Sequence, residues 1–220
     1  MEPEPYSMPA TRIQLIVLII SAGLLSYCTS PIRAEKKHLI GLQPIGPYDK
    51  QQLQFIQNEL QSFFKTRVVV LNETTMPAAF LNTTKGERYS ADSLIRWLAR
   101  NTPDSIYKVV GLTHKDIFTT RYANGAIKKP ENTYTVWGIF GMGFKPGRSC
   151  VVSDHRLHTS NMQQFKHRIR TVVIHELGHN QGLDHCATKN CIMSDANESI
   201  KTVDNSSNQY CKKCKDKLSG

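Results

Sequence analysis

The sequence predicts an α/β fold with parallel strands, because short apolar runs of strand length alternate with amphipathic helical segments. The chain has 220 residues, which is enough for one sizeable domain or two small ones. Hydrophobic residues make up 40% and charged residues 21%, so the composition excludes a disordered tail, a collagen-like repeat and a coiled-coil rod. Of the six cysteines, four fall in the last 35 residues, which indicates a local use of these thiols.

The alternation is clearest in the first half of the chain. The predicted elements, in chain order, are a strand at 38–46, a helix after Pro47, a strand at 68–71, a polar loop at 72–90, a helix at 91–100 and a strand at 107–112. In the first helix, Leu53, Ile56 and Leu60 recur at spacings of three and four, which is the period of an amphipathic helix. Asp49 stands near the start of this helix, and Ser90 is expected to cap the second one.

The second half adds a glycine-rich strand and a long helix. Residues 135–144 are predicted to form a strand whose three glycines mark close approach by another backbone, and 149–153 a return strand. The next helix is expected to begin at a capping box at 160–163 and runs with helical periodicity into His175. It should end near Gly182, because glycine readily takes the left-handed conformation that terminates helices.

The N-terminal 28 residues look like an export signal rather than part of this fold. Arg12 precedes about a dozen apolar residues at 13–25, which is short for a membrane span. The residues before Cys28 loosely resemble a bacterial lipobox, although Tyr27 stands where a small residue is expected. We therefore expect export to a bacterial periplasm, lipid anchoring to a membrane at Cys28, or secretion; an uncleaved signal anchor is the alternative. The expected divisions are a signal at 1–28, a linker at 29–37 and a folded domain at 38–220.

Residues 175–185 read HELGHNQGLDH and have the spacing of a metal site. His175 and His179 are one helical turn apart and point the same way, so both imidazoles can hold one ion. The chain then turns and brings His185 back as a third ligand. Three histidines leave a fourth zinc position open for water, which is the pattern of catalytic zinc sites. Glu176 is directed beside the metal, where it can accept a proton from that water.

The cysteines that follow the histidine motif make the sequence pattern resemble one particular family. Together the motifs read HExxHxxGxxHC-x4-CxM-x17-CxxC, in which Cys186 directly follows His185. This pattern resembles the archaemetzincin family of metzincin zinc peptidases in every fixed position. Two upstream segments also look like that family: GLTHKDIF at 111–118 and the glycine-rich strand before Cys150. The resemblance covers roughly residues 39–214, and the N-terminal export segment lies outside it.

The resemblance implies a fold and an activity. The fold is a zincin-like α/β single domain with a mixed, mostly parallel sheet, an active-site helix and a small cysteine-rich C-terminal subdomain from about residue 183. The activity is zinc-dependent peptide-bond hydrolysis with Glu176 as the general base. Met193 matches the methionine of the Met-turn beneath the catalytic metal. The residues that match the catalytic zinc ligands are His175, His179 and His185.

The resemblance also implies a second, structural zinc. The matching ligands are Cys186, Cys191, Cys211 and Cys214. A short-spaced cysteine pair followed by CxxC suits a tetrahedral thiolate site. Disulfides between the same residues are the alternative, because the export signal predicts an oxidising compartment, and three pairings are possible. We expect zinc, since an ion bound before oxidation protects the thiolates, and therefore two zinc ions per chain.

Other candidate residues carry weaker signals. His155 and His158 have a spacing that permits a metal pair, but most such pairs are surface residues. Cys150 stands in an apolar strand and is expected to be a buried small hydrophobe rather than a ligand. Gly141 and Gly143 are expected on an edge strand where an extended peptide pairs. The sequence assigns no other substrate-binding residue.

The principal hypothesis is an exported zinc peptidase that acts as a monomer on a peptide or protein substrate. The alternative is a catalytically inert, zinc-containing peptide-binding module, because no prosegment or cysteine switch is visible. The net charge of +10 raises a third possibility, nucleic-acid binding. No basic run is interleaved with aromatic residues, however, so we expect no nucleic-acid partner.

Overall fold

Short strands and helices alternate along the chain and form two sheets and a hairpin. The computed structural model describes residues 1, 39–196 and 199–219. Within these residues the strands are β1 (Ile40–Pro44), β2 (Val68–Val70), β3 (Leu81–Asn82), β4 (Arg88–Ser90), β5 (Lys108–Thr113), β6 (Ile117–Thr119), β7 (Tyr122–Ala123), β8 (Ala126–Ile127), β9 (Trp137–Ile139), β10 (Gly141–Gly143) and β11 (Ser149–Ser153). The helices in the same residues are α1 (Lys50–Phe64), α2 (Ala91–Asn101), α3 (Glu131–Tyr134), α4 (Met162–Asn180), α5 (Ile200–Asp204) and α6 (Lys212–Ser219).

The larger sheet has five strands in the order β10-β11-β5-β1-β2. Four of them run parallel, and β10 pairs antiparallel with β11 at one edge. In the centre of the sheet, Ile40 of β1 lies opposite Val68 of β2 on one side and Lys108 of β5 on the other. The sheet is therefore mixed and mostly parallel, and the predicted α/β architecture is confirmed.

The two faces of this sheet bury separate apolar layers. Helices α1 and α4 cover one face, where Val110, Cys150 and Val152 pack with residues of both helices. Helix α2 covers the other face and packs against Val109 and Val151. The division follows from strand geometry, because successive side chains of a strand point to opposite faces. Helix α4 is thus held against the sheet along its buried side.

The smaller sheet has the order β3-β4-β6-β9, and it contains most of the departures from the sequence prediction. Strands β3 and β4 lie in the segment expected to be a loop; they are only two and three residues long, too short to show an alternating pattern. The prediction of a single strand at 135–144 is wrong. It divides at Phe140 into β9, which pairs with β6, and β10, which pairs with β11. A continuous apolar run shows no break at the point where the chain changes sheets.

Side chains cap the three long helices at their N-termini. Asp49 accepts a hydrogen bond from the Gln52 N–H at 2.9 Å. Ser90 accepts one from the Ser93 N–H at 3.2 Å and so caps α2 as predicted. Helix α4 begins one residue later than the predicted capping box. Its N-cap is Asn161 rather than Ser160, because the Asn161 side chain accepts from the backbone N–H groups of the second and third residues that follow it. Serine and asparagine cap helices equally well, so composition alone does not separate them.

Helix α4 ends in a glycine turn that redirects the chain toward the helix. Gly182 has a φ of 95°, the left-handed conformation expected of a terminating glycine. The Leu183 N–H donates to the Gly178 carbonyl at 3.0 Å, and the Gly182 N–H donates to the His179 carbonyl at 2.9 Å. These two bonds form a Schellman motif. The reversal brings the following residues back beside the last turn of α4.

The expected N-terminal segments lie outside the described residues. The predicted signal at 1–28 (apart from residue 1), the linker at 29–37 and the lipid-attachment cysteine Cys28 fall within residues 2–38, and all of them stay predictions. Residues 39–196 and 199–219 belong to one compact unit that spans Lys36–Gly220. None of the described helices is both long and apolar enough to cross a bilayer.

Candidate active site and metal centres

Three histidines converge at the C-terminal end of α4. His175 and His179 both belong to the helix, and their Nε2 atoms lie 3.0 Å apart. His185 follows the glycine turn, and its ring centroid is 5.3 Å from that of His175 and 4.9 Å from that of His179. One donor nitrogen from each ring lies within 4.8 Å of the other two. The structure thus brings together the three residues whose spacing predicts a metal site.

The Nδ1 atom of each of these rings has a polar partner that fixes the ring orientation. His175 Nδ1 lies 2.8 Å from the Ile192 carbonyl oxygen. His179 Nδ1 lies 2.7 Å from the carbonyl oxygen of the residue four positions later. His185 Nδ1 lies 3.4 Å from the Asp195 carboxylate. Partners of this kind favour a proton on Nδ1 and leave Nε2 to bind a metal.

The donor set fits zinc. In a tetrahedral site with Zn–N bonds of about 2.05 Å, neighbouring nitrogens are about 3.3 Å apart. The 3.0 Å between the Nε2 atoms of His175 and His179 is close to that value. Burial lowers the pKa of His175 to about 3 and also lowers the pKa of His179. Both rings are therefore neutral near pH 7, the form that binds a cation.

Glu176 lies beside the histidines and is buried. Its exposed fraction is 6%, and it lines the same cavity as His175 and His185. Burial raises the pKa of its carboxyl to about 8. A carboxylate with a raised pKa accepts a proton more strongly than an exposed glutamate does. The position and the environment both suit a general base.

Strand β10 crosses directly over Glu176. A Cβ atom at Gly141 would lie 2.8 Å from Glu176 Oε1, and one at Gly143 would lie 2.7 Å from the Glu176 carbonyl oxygen. An approach this close leaves no room for a side chain, which explains the glycines of this strand. β10 is also a terminal strand of the larger sheet, as expected for Gly141 and Gly143.

Met193 packs beneath the last turns of α4. It is fully buried, and a Cβ atom at Gly178 would lie only 2.5 Å from its sulfur. The glycine inside the HELGH motif therefore lets the methionine approach the helix. The Met193 carbonyl accepts a hydrogen bond from the Cys186 N–H at 2.8 Å. Met193 thus connects helix α4 to Cys186.

Four cysteines form a second cluster next to the first. The Sγ atoms of Cys186 and Cys211 are 3.6 Å apart, and those of Cys191 and Cys214 are 3.8 Å apart. All four sulfurs lie within 4.8 Å of one another. A tetrahedral site with Zn–S bonds of about 2.3 Å places its sulfurs about 3.8 Å apart, whereas a disulfide requires about 2.05 Å. The cluster fits a metal, and the structure holds these cysteines as free thiols rather than as the alternative disulfides.

Backbone and side-chain donors support the thiolate form at two of these cysteines. Hydrogen bonds from Thr188 lower the pKa of Cys186, and the Cys214 N–H lowers the pKa of Cys211 to about 6. Burial raises the pKa of Cys191 and Cys214. A dication bound among the four sulfurs reverses that effect, because it favours the deprotonated thiol.

Comparison with known proteins decides the family. The model of peptidase family M54 matches residues 100–220. This chain belongs to peptidase family M54. It is 28% identical to an archaemetzincin of Halobacterium salinarum over 184 residues, which cover 80% of this chain and 96% of the relative.

Solved structures of archaemetzincins agree with the M54 membership. The crystal structure of archaemetzincin from Archaeoglobus fulgidus, complexed with malonate, matches with a TM-score of 0.66 and 26% identity, covering 81% of this chain and 99% of that one. The crystal structure of archaemetzincin from Methanopyrus kandleri matches with a TM-score of 0.67 and 25% identity, covering 86% and 97%. The resemblance read from the motifs and the archaemetzincin-like fold are thereby confirmed.

As an M54 peptidase, the protein is a zinc metallopeptidase. The roles of the individual histidines, of Glu176, of Met193 and of the cysteines stay predictions, as does the number of zinc ions. The structure brings the expected residues into two clusters of three histidines and four cysteines. The weaker candidate pair separates: His158 lies in a third cluster, with His114 and Asp154, and His155 does not belong to it.

Sequence reasoning missed three residues that position this M54 site. The Asp195 carboxylate lies beside Nδ1 of His185, as described above. Lys108 of β5 donates from Nζ to the Asn180 carbonyl at 2.8 Å, where the C-terminal end of α4 attracts a cation. The Asn180 amide donates to two carbonyls, of Phe144 and Ser149, at 2.9 Å each. These contacts join residues far apart in the chain, so no local pattern marks them.

Replacement of Gly141 with alanine is expected to lower kcat for peptide hydrolysis by about 10- to 100-fold, because the added methyl group displaces the Glu176 carboxylate. Zinc content should not change. Met142→Leu is the matched control, since Met142 is on the same strand but packs with the apolar layer on the α2 side of the sheet. Steady-state kinetics with a peptide substrate measure both variants. Equal kcat values in Gly141→Ala and Met142→Leu would show that the close approach has no role in positioning Glu176.

Proposed function

We propose that this protein hydrolyses peptide bonds at a zinc ion held by His175, His179 and His185, with Glu176 as the general base. The convergence of three oriented imidazoles beside a buried glutamate supports this proposal. The cysteine cluster would hold a second, structural zinc that fastens the C-terminal region behind His185. The ligands of that ion would be Cys186, Cys191, Cys211 and Cys214, which gives two zinc ions per chain.

The chemistry divides between the metal and the protein. Zinc in a three-histidine site with an open position polarises a carbonyl group and lowers the pKa of a water molecule to about 7. Glu176 accepts the proton of the attacking water on a carboxylate oxygen. It then delivers that proton to the amine nitrogen as the C–N bond breaks, so the carboxylate is regenerated in each turnover. Its buried position makes it both a strong acceptor and an effective donor.

Two features of the site suit a peptide substrate. The edge strand β10 offers backbone groups to an extended chain, which would pair with it as an added strand. The cavity beside the histidines includes the apolar side chains of Ile139, Phe140 and Val172. A side chain next to the scissile bond would enter this cavity, so apolar residues are the favoured occupants there.

A peptide-library digest tests the proposal. The full-length, zinc-loaded protein is incubated with the library, and the products are read by mass spectrometry. We expect cleavage that disappears when a chelator removes zinc and returns when zinc is restored, because the metal supplies the electrophile. A zinc-loaded protein that leaves every peptide intact would contradict the proposal and favour a peptide-binding module.

A further inference from the structure

A third cluster of candidate metal ligands shares no residue with the histidine and cysteine clusters. His114 follows β5, and Asp154 follows β11, its parallel neighbour in the sheet. His158 comes four residues after Asp154. The carboxyl ends of parallel strands commonly carry ligand sites, because side chains from adjacent loops meet there. The topology therefore assembles these three residues although 40 residues separate His114 from Asp154.

The donor atoms of this cluster converge on one carboxylate. His114 Nδ1 lies 2.9 Å from Asp154 Oδ1, and His158 Nε2 lies 3.6 Å from the same oxygen. One donor from each of the three residues lies within 4.8 Å of the other two. Two imidazoles and a carboxylate form a ligand set that suits zinc and neighbouring divalent transition metals.

The side chains of the cluster are held in place by contacts outside it. The Tyr48 hydroxyl donates to Asp154 Oδ2 at 3.0 Å and so orients the carboxylate. The Tyr48 ring also stacks on the His114 ring, with centroids 4.3 Å apart and an interplanar angle of 6°. The His158 ring stacks on Phe165 at 5.2 Å. Ligands fixed in this way lose little freedom when an ion binds.

Burial and charge also favour a cation. Asp154 is fully buried, and in the described part of the chain its ion pairs are both with histidines. A buried carboxylate needs a compensating charge, and a divalent cation held beside it would supply one. The histidine side chains remain partly exposed, at 42% for His114 and 59% for His158. The histidine side of the cluster is therefore open to solvent, although the Asp154 side chain itself is not exposed.

We propose that His114, Asp154 and His158 bind a divalent transition-metal ion such as zinc, as a third metal site. The ion ties the loop after β5 to the segment between β11 and α4. This site is independent of the proposed peptidase mechanism, because none of its residues contributes to the histidine or cysteine centres.

Metal stoichiometry at controlled free zinc tests the third site. The full-length protein and its variants are dialysed to equilibrium against a series of buffered zinc concentrations, and bound zinc per chain is measured by elemental mass spectrometry. We expect the wild type to bind one zinc more than His158→Gln and His114→Gln at the same free zinc. The affinity of this last ion should fall about tenfold or more in either variant, because each loses one of three ligands.

His155→Gln is the matched control, since His155 is also exposed in the same segment but lies outside the cluster. It should bind as much zinc as the wild type. Extra zinc at the catalytic centre would appear equally in all the proteins and cancels in the comparison. Circular dichroism verifies that each variant is folded. If His114→Gln unfolds, the comparison is made with His158→Gln alone. Identical zinc isotherms for the wild type and His158→Gln would overturn the third site, whatever the outcome of the peptidase assay.

Discussion

Replacing Glu176 with glutamine is expected to lower kcat/KM for peptide hydrolysis by about 10²- to 10⁴-fold while the zinc content stays unchanged. Glutamine has nearly the same shape, so it fits beneath β10, but its amide cannot accept the proton of the attacking water. The proposed zinc ligands His175, His179 and His185 remain intact in this variant. Steady-state kinetics and elemental analysis of the same preparation measure both quantities.

Glu131→Gln is the control for this substitution, because Glu131 is an exposed residue that pairs with Lys129 and lies outside the site. It should retain the full activity and zinc content of the wild type. Loss of zinc in Glu176→Gln would mean that Glu176 holds the metal or its ligands in place. Undiminished activity in that variant would remove Glu176 from the mechanism altogether.

The second large effect is expected from the cysteine cluster. Replacing Cys214 with serine should remove one zinc ion per chain and lower the free energy of unfolding by about 4 kcal/mol or more. Cys214 is buried, and its sulfur lies with those of the other three cysteines around one candidate metal site. Without it, that site has only three of its four ligands. Cys186 directly follows His185, and its N–H donates a hydrogen bond to the Met193 carbonyl. Disorder at the cysteine cluster would therefore disturb the histidine site, and we expect activity to fall as well. Denaturant unfolding and zinc analysis measure the change.

Cys150→Ala is the matched control for this loss. Cys150 is equally buried but lies in β11, outside the cluster, where its thiol donates weakly to the Val109 carbonyl. This variant should lose some packing energy and no zinc. A zinc content in Cys214→Ser equal to that of the wild type at the same free zinc would contradict the structural site. A titration of the denatured wild type that finds only the thiols of Cys28 and Cys150, and none from the four cluster cysteines, would instead establish the disulfide alternative.

The larger sheet and its helices were predictable because their signals are local. Residues 149–153 form β11 with the predicted bounds, and the helix after Pro47 begins beside Asp49, as its position in the sequence indicates. Long apolar periodicity and capping residues determine such elements whatever the rest of the chain does. The smaller sheet was not predictable, because strands of two or three residues depend on pairing partners distant in sequence. The division of 135–144 at Phe140 was not predictable for the same reason, because it depends on which distant strands β9 and β10 pair with.

The histidine cluster was predictable from spacing alone. A helix places His175 and His179 together, and a glycine turn returns His185 to them, so eleven consecutive residues contain the whole arrangement. The supporting contacts were not predictable, because they connect distant segments: Lys108 reaches the end of α4 from β5. The third cluster was missed for the same reason, since its members meet only through the parallel pairing of β5 and β11.

The most direct test of the central claim is zinc content and peptide hydrolysis measured on one preparation each of the wild type and His179→Ala. Our account predicts an active wild type with two zinc ions at the histidine and cysteine centres, and an inactive variant that keeps only the cysteine-bound ion. These measurements are made at a free zinc concentration too low to fill the third site. A His179→Ala protein that retains both ions, or that hydrolyses peptides at the wild-type rate, would contradict the assignment of the catalytic zinc to the three histidines.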